Sequence, residues 1–192
     1  MKLIDYLIWA NIIGCIQYII NTWLYSNTSD MQIDVLLTIC ALAGGSAGIV
    51  LAILLFDRKS VKGNMMSRVF VVCVLVVQII IYLILKGKIQ SDLEFAIWNT
   101  IMRHKALLIY LLAINIVALI IYGIDKLAAI GNRSRIRIVT LLGLAFMGGS
   151  IGALIAMYAF KHKIRQDYFA VGVPMILIMQ IFLLFYLGNS QF

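Results

Sequence analysis

Long apolar runs alternate along this chain with short clusters of polar and charged residues. A helix needs roughly 20 apolar residues to cross a hydrocarbon core of about 30 Å. Six stretches approach or exceed that length: Leu3 to Leu24, Val35 to Phe56, Val69 to Leu85, Ala106 to Ile124, Ile138 to Phe160 and Ala170 to Leu187. None shows the strict alternation of a membrane β-strand. The pattern predicts an all-α protein, a polytopic membrane helix bundle with six transmembrane helices. The first stretch carries Asp5 near its start and no small-residue cleavage site after it, so it reads as a retained span rather than a signal peptide.

The same pattern occurs twice. Displacing the chain by 104 residues brings Asn11 onto Asn115, Tyr18 onto Tyr122, Gly48 onto Gly152, Phe56 onto Phe160 and Lys59 onto Lys163. The triplet Gly44-Gly45-Ser46 falls on Gly148-Gly149-Ser150, and after a two-residue contraction Gln78 falls on Gln180. Polar residues are rare inside apolar helices, so their coincidence predicts a tandem duplication. Its parts are a first, divergent three-helix repeat over 1–86, a linker over 87–105 and a second three-helix repeat over 106–192. Within the linker, "SDLEFAIWNTIM" (Ser91 to Met102) opens on a capping-box spacing and repeats Phe95, Trp98 and Met102 at helical intervals. That predicts an amphipathic helix lying in the interface.

An odd number of spans per repeat would insert the second copy upside down. On that topology nine of the sixteen Lys and Arg residues fall on one side and seven on the other. A rival topology makes each glycine-rich stretch a re-entrant hairpin, and then eleven basic residues share one face against five. The positive-inside bias favours the second arrangement. The length of Val35 to Phe56 and of Ile138 to Phe160 favours the first, and six spans in inverted repeats is the expectation.

Composition narrows the class further. With 64% hydrophobic and 12% charged residues, a 192-residue chain has too much apolar surface to hide from water. The net charge of +8 belongs to loops flanking spans, where it meets anionic head groups, and no aromatic-glycine motif for nucleic acid is present. Cys15, Cys40 and Cys73 all fall inside apolar stretches without Cys-x-x-Cys spacing, which predicts neither disulfides nor a metal site.

Gly44, Gly48 and Ala52 lie four residues apart, as do Gly148, Gly152 and Ala156. Small side chains on one helical face let backbones approach closely in lipid, so both strips are expected to be packing seams. The other reading is a broken helix whose freed backbone groups bind an ion. Asn115, Tyr122 and Lys126 form one helical stripe, with Asp125 beside it. Together with Ser150 and Gln180, and with Asn11 and Gln78 in the first repeat, they read either as interhelical hydrogen-bonding glue or as the lining of a polar cavity, because polar groups in the bilayer are costly. Asp125 and Lys126 read equally as snorkelling to the interface. "FKHK" and the cations around it (Lys161, His162, Lys163 and Arg165, with Arg58 and Lys59 in the first repeat) read as head-group contacts at the interface. No zinc-protease, nucleophile-elbow or phosphate-loop motif occurs, so neither catalysis nor a cofactor is expected.

From Tyr122 to Phe169 the chain resembles the bacterial and archaeal membrane family called domain of unknown function 1294. The resemblance rests on Asp125, Lys126, Ala129 and Arg135, then Gly148, Gly149, Ser150 and Gly152, then His162, Lys163 and Arg165. The first repeat keeps Gly44, Gly45, Ser46 and Gly48 but lacks the Asp-Lys and the His. Where the family has a proline and a glutamate after the basic residue, this chain reads "IRI". The resemblance implies a multi-pass protein of a prokaryotic plasma membrane and supplies no substrate. The expected function is a small transporter or channel, from the inverted repeat and midplane amides; the alternative is a structural, accessory or lipid-binding protein without transport or catalysis. Partners on either reading are anionic lipids, a second copy or a membrane protein.

Overall fold

The computed structural model describes residues 3–27, 34–56, 65–86, 104–131 and 133–189. Among them, all regular structure is helical. The chain divides into two compact units, Met1–Ile79 and Ile80–Phe192. The linker helix expected over Ser91 to Met102, and Arg58 and Lys59, lie outside the described residues.

The first unit holds α1 (Leu3–Asn27), α2 (Asp34–Cys40), α3 (Ser46–Phe56) and most of α4 (Met65–Leu85). The second holds α5 (Lys105–Ile130), α6 (Ile138–Leu144), α7 (Ser150–Ala159), α8 (Asp167–Ala170) and α9 (Gly172–Asn189). Among the described residues, five stretches are long and apolar enough to cross a membrane: Ile4–Leu24, Val35–Phe56, Lys105–Ile130, Ile138–Ala159 and Tyr168–Asn189. The third predicted span is a shorter apolar helix, Arg68–Ile84 within α4.

Packing departs from the rule of soluble proteins. In the second unit small residues share the interior with larger ones such as Tyr122, Leu141, Phe169 and Ile176: Ala145, Gly149, Ser150, Gly152, Ala153 and Ala156 are all buried. Large apolar residues such as Ile116, Ile120, Ile151, Ile155 and Ile178 are exposed. Helices in lipid gain little by hiding leucine or isoleucine from equally apolar tails, so close backbone contact decides what goes inside.

The glycine-rich stretches are not continuous helices. α2 and α3 are joined by Ala41–Gly45, a widened turn of π type, and α6 and α7 by its counterpart Ala145–Gly149. Gly44 has φ 109° and Gly148 φ 113°, a left-handed conformation that side chains other than glycine's resist. The strips of small residues are therefore interrupted at their first glycines. Beyond the break, Gly48 and Ala52, and Gly152 and Ala156, are buried.

In the second unit the break reverses the chain. Moving along α6 from Ile136 through Leu141 to Met147, the partners on α5 run backwards: Asp125, Tyr122, Tyr110. Moving along α7 from Gly152 to Phe160 and His162, they run forwards: Asn115, Gly123, Asp125. So α6 is antiparallel to α5 and α7 is parallel to it. The straight helix expected from Ile138 to Phe160 does not form; a left-handed glycine near its middle turns it back.

Candidate functional site

Two polar constellations lie on α5, centred on Asn115 and on Asp125, ten residues and about 15 Å apart along the helix. The first surrounds the break. A backbone turned away from helical geometry leaves N–H and C=O groups that lipid cannot satisfy, so side chains must do it. The Asn115 amide donates to the carbonyls of Leu111 and Gly148, at 2.7 and 2.9 Å, and its oxygen accepts from the Gly152 N–H at 2.7 Å. Tyr110 donates its hydroxyl to the Met147 carbonyl, and Gln180 donates its amide to those of Ala145 and Phe146. The Ser150 hydroxyl donates to the Gln180 side-chain oxygen.

The first unit carries corresponding bonds, made by residues 104 positions earlier, or 102 for the glutamine. Tyr6 donates to Ala43, Asn11 accepts from the Gly48 N–H, and Gln78 donates to Ala41 and Leu42 while accepting from Ser46. Asn11 and Gln78, like Asn115, Ser150 and Gln180, thus lie at a helix break and engage its backbone.

The second constellation, among the described residues, lies in the second unit. Asp125 sits one turn from the end of α5 and is fully buried, although its neighbours Ile124 and Leu127 are exposed. One carboxylate oxygen accepts from the Ile136 backbone N–H at 2.9 Å, in the segment leading into α6. The other lies 2.9 Å from His162 Nε2 and 2.7 Å from Lys163 Nζ, both beyond the end of α7. Lys163 Nζ also stands over the Phe169 ring, 4.6 Å from its centroid, and Phe169 meets the Tyr122 ring edge-on at 5.9 Å. Tyr122 is buried and donates its hydroxyl to the Leu141 carbonyl at 3.2 Å. Lys126 is half-buried beside Asp125.

The end of α7 explains how the cations reach Asp125. Lys161 adopts φ 45°, and its N–H bonds the Tyr158 carbonyl while the His162 N–H bonds the Met157 carbonyl. That is the paired bonding of a Schellman ending, which swings the chain off the helix axis. Glycine is usual at its left-handed position; lysine there costs about 1 kcal/mol or more. Because the Lys161 side chain is exposed, Lys161→Gly is expected to stabilise the protein by about 1 kcal/mol, read as a raised thermal midpoint in detergent.

His162 and Lys163 were expected to face lipid head groups. Instead both turn inward to Asp125, with side chains 15% and 8% exposed. The reason is electrostatic: a carboxylate buried at a helix end is tolerable only with opposite charge beside it. Lys161 and Arg165 remain exposed. What the arrangement does chemically is to fasten three chain segments, the end of α5, the entry to α6 and the exit from α7, to one charged group.

These positions fall inside a region with known kin. Residues 115–169 match the family described as "Protein of unknown function (DUF1294)". The chain is similar to Uncharacterized protein YsdA of Bacillus subtilis (strain 168), 33% identical over 75 residues, which are 39% of this chain and 84% of that protein. The chain belongs to the DUF1294 family. The DUF1294 match begins at Asn115 and ends at Phe169, so it contains the Asn115–Gly152 bond and every residue around Asp125. Gln180 lies beyond it. No solved structure matches the chain.

Sequence reasoning read the Asp-Lys pair as cavity lining or interface and the His-Lys pair as interface, without joining the two. It passed over Tyr6 and Tyr110, although they too stand 104 residues apart, and over Phe169 and the Ile136 N–H. The first two were within reach of the displacement that found Asn11 and Asn115. A backbone N–H carries no residue-type signal at all.

Proposed function

We propose that this protein is a multi-pass accessory protein of a prokaryotic plasma membrane, holding anionic lipid head groups at a cationic face of its second unit. One observation carries the reading: Asp125 draws two basic loops to one place. Arg133, Arg135 and Arg137 lie in the loop that it bonds at Ile136, and Lys161 and Arg165 flank the His162 and Lys163 that it pairs with. All five of these loop cations are exposed. A basic residue near an anionic membrane surface contributes about 1 kcal/mol each. The midplane amides support the same reading, since Asn115 and Gln180 are engaged with the protein's own backbone.

The two units descend from one duplicated ancestor, the first copy having diverged. Support comes from the hydrogen bonds around Gly44 and Gly148, made by the same residue types 104 positions apart or, for the glutamines, 102. The first copy has Asn21 where the second has Asp125.

The test is native mass spectrometry from mild detergent after incubation with phosphatidylglycerol, comparing wild type with an Arg133→Gln, Arg135→Gln, Arg137→Gln variant. Three lost cations correspond to roughly 3 kcal/mol, on the order of a hundredfold in affinity. Equal adducts on both proteins, or none on either, would refute the reading. A transporter is the second reading, favoured by the helix breaks at Gly44 and Gly148, a feature of membrane ion sites. Solute flux in proteoliposomes that Asn115→Leu abolishes would establish it instead.

A further inference from the structure

We propose that α6 and α7 form a re-entrant hairpin, entering and leaving the membrane on the same face, so that both basic loops of the second unit lie on one side. A straight helix over the 22 residues Ile138–Ala159 would hold its ends about 33 Å apart, enough to cross a bilayer. Yet the two flanks of this segment bond the two oxygens of a single carboxylate: Ile136 one, His162 and Lys163 the other. One carboxylate cannot bridge opposite membrane surfaces. The reversal happens at Gly148, whose neighbours are side chains of Tyr110, Leu111 and Ile114, the first third of α5. The hairpin therefore enters beside the end of α5 and turns deep along that helix.

Re-entrant backbone is tolerated at membrane depth where protein satisfies it. Tyr110, Asn115 and Gln180 supply that satisfaction here, by the bonds described above. A polar tip that deep in lipid with no such partners would not persist.

The first unit carries the same device. Gly44 has the same left-handed φ, and Tyr6, Asn11 and Gln78 hold its break by equivalent bonds. Each unit then crosses the membrane twice rather than three times. In the second unit Lys126, Arg133, Arg135, Arg137, Lys161, Lys163 and Arg165 then come to one face. The face that gains them is the cytoplasmic one, by the positive-inside bias. This topology does not rest on lipid affinity, and the experiment below reads it without any lipid measurement.

Ser134 and Arg165 are exposed, one in each loop. Single Ser134→Cys and Arg165→Cys variants, with Cys15, Cys40 and Cys73 replaced by alanine, are to be labelled with a membrane-impermeant maleimide in intact cells and in inverted vesicles. Both cysteines should react in inverted vesicles and neither in intact cells. Reaction of the two from opposite sides overturns the hairpin. A measurement on the unaltered chain guards against misfolding of the variants: trypsin added to inverted vesicles should cut after Arg135 and after Arg165 alike. Cutting at one site from the inside and at the other only from the outside likewise overturns it.

Discussion

Asp125→Ala is expected to destabilise the second unit by about 3–5 kcal/mol, the range for breaking a buried ion pair by removing one partner. The carboxylate is wholly buried and accepts three bonds, from the Ile136 N–H, His162 and Lys163. Its removal takes the counter-charge from a lysine side chain only 8% exposed. It also unfastens both loops from the end of α5. The thermal midpoint in detergent should fall sharply, and trypsin should reach Arg135 faster. Asp125→Asn should lose less, since one oxygen still accepts from the Ile136 N–H. Adding Lys163→Met to Asp125→Ala should recover part of the loss, because an apolar pair costs less to bury than an uncompensated charge. An unchanged midpoint for Asp125→Ala would show that the cluster is not a fastening.

Gly152→Ala should come next, at about 2–4 kcal/mol for overpacking plus a lost hydrogen bond. A Cβ at this position would lie 2.0 Å from the Asn115 carbonyl oxygen. That atom is backbone in the middle of α5 and cannot swing aside, so α5 and α7 must move apart. Separation lengthens the 2.7 Å bond from the Gly152 N–H to the Asn115 side chain. Truncating that side chain, as in Asn115→Ala, should give no rescue, because the obstruction is main chain. Gly143→Ala is the control: a Cβ there meets nothing within 4 Å, and alanine favours helix by up to about 1 kcal/mol. It should be neutral or stabilising. Equal midpoints for the Gly143 and Gly152 variants would refute the close approach.

Both predictions concern contacts between residues about 37 positions apart, and that separation marks how far the sequence could be read. Asn115 and Gly152 were each singled out, one as a polar midplane residue and one as a small seam residue. That they bond each other depends on α7 lying parallel to α5. The charge count did carry a trace of this, since it favoured a topology in which each glycine-rich stretch folds back. Segment length pointed the other way, because length cannot distinguish a straight helix from one that folds back.

By itself the sequence determined the helical class, the apolar stretches and the twofold recurrence of Asn, Gly-Gly-Ser, Gly and Gln. These are readable because lipid acts on each segment locally, through its length and its polarity. Only the tertiary structure decided where Ile138–Ala159 goes and what Asp125 is for. The left-handed turn at Gly148 sends the chain back along α5, and a buried carboxylate holds the returning end there through its pairing with His162 and Lys163.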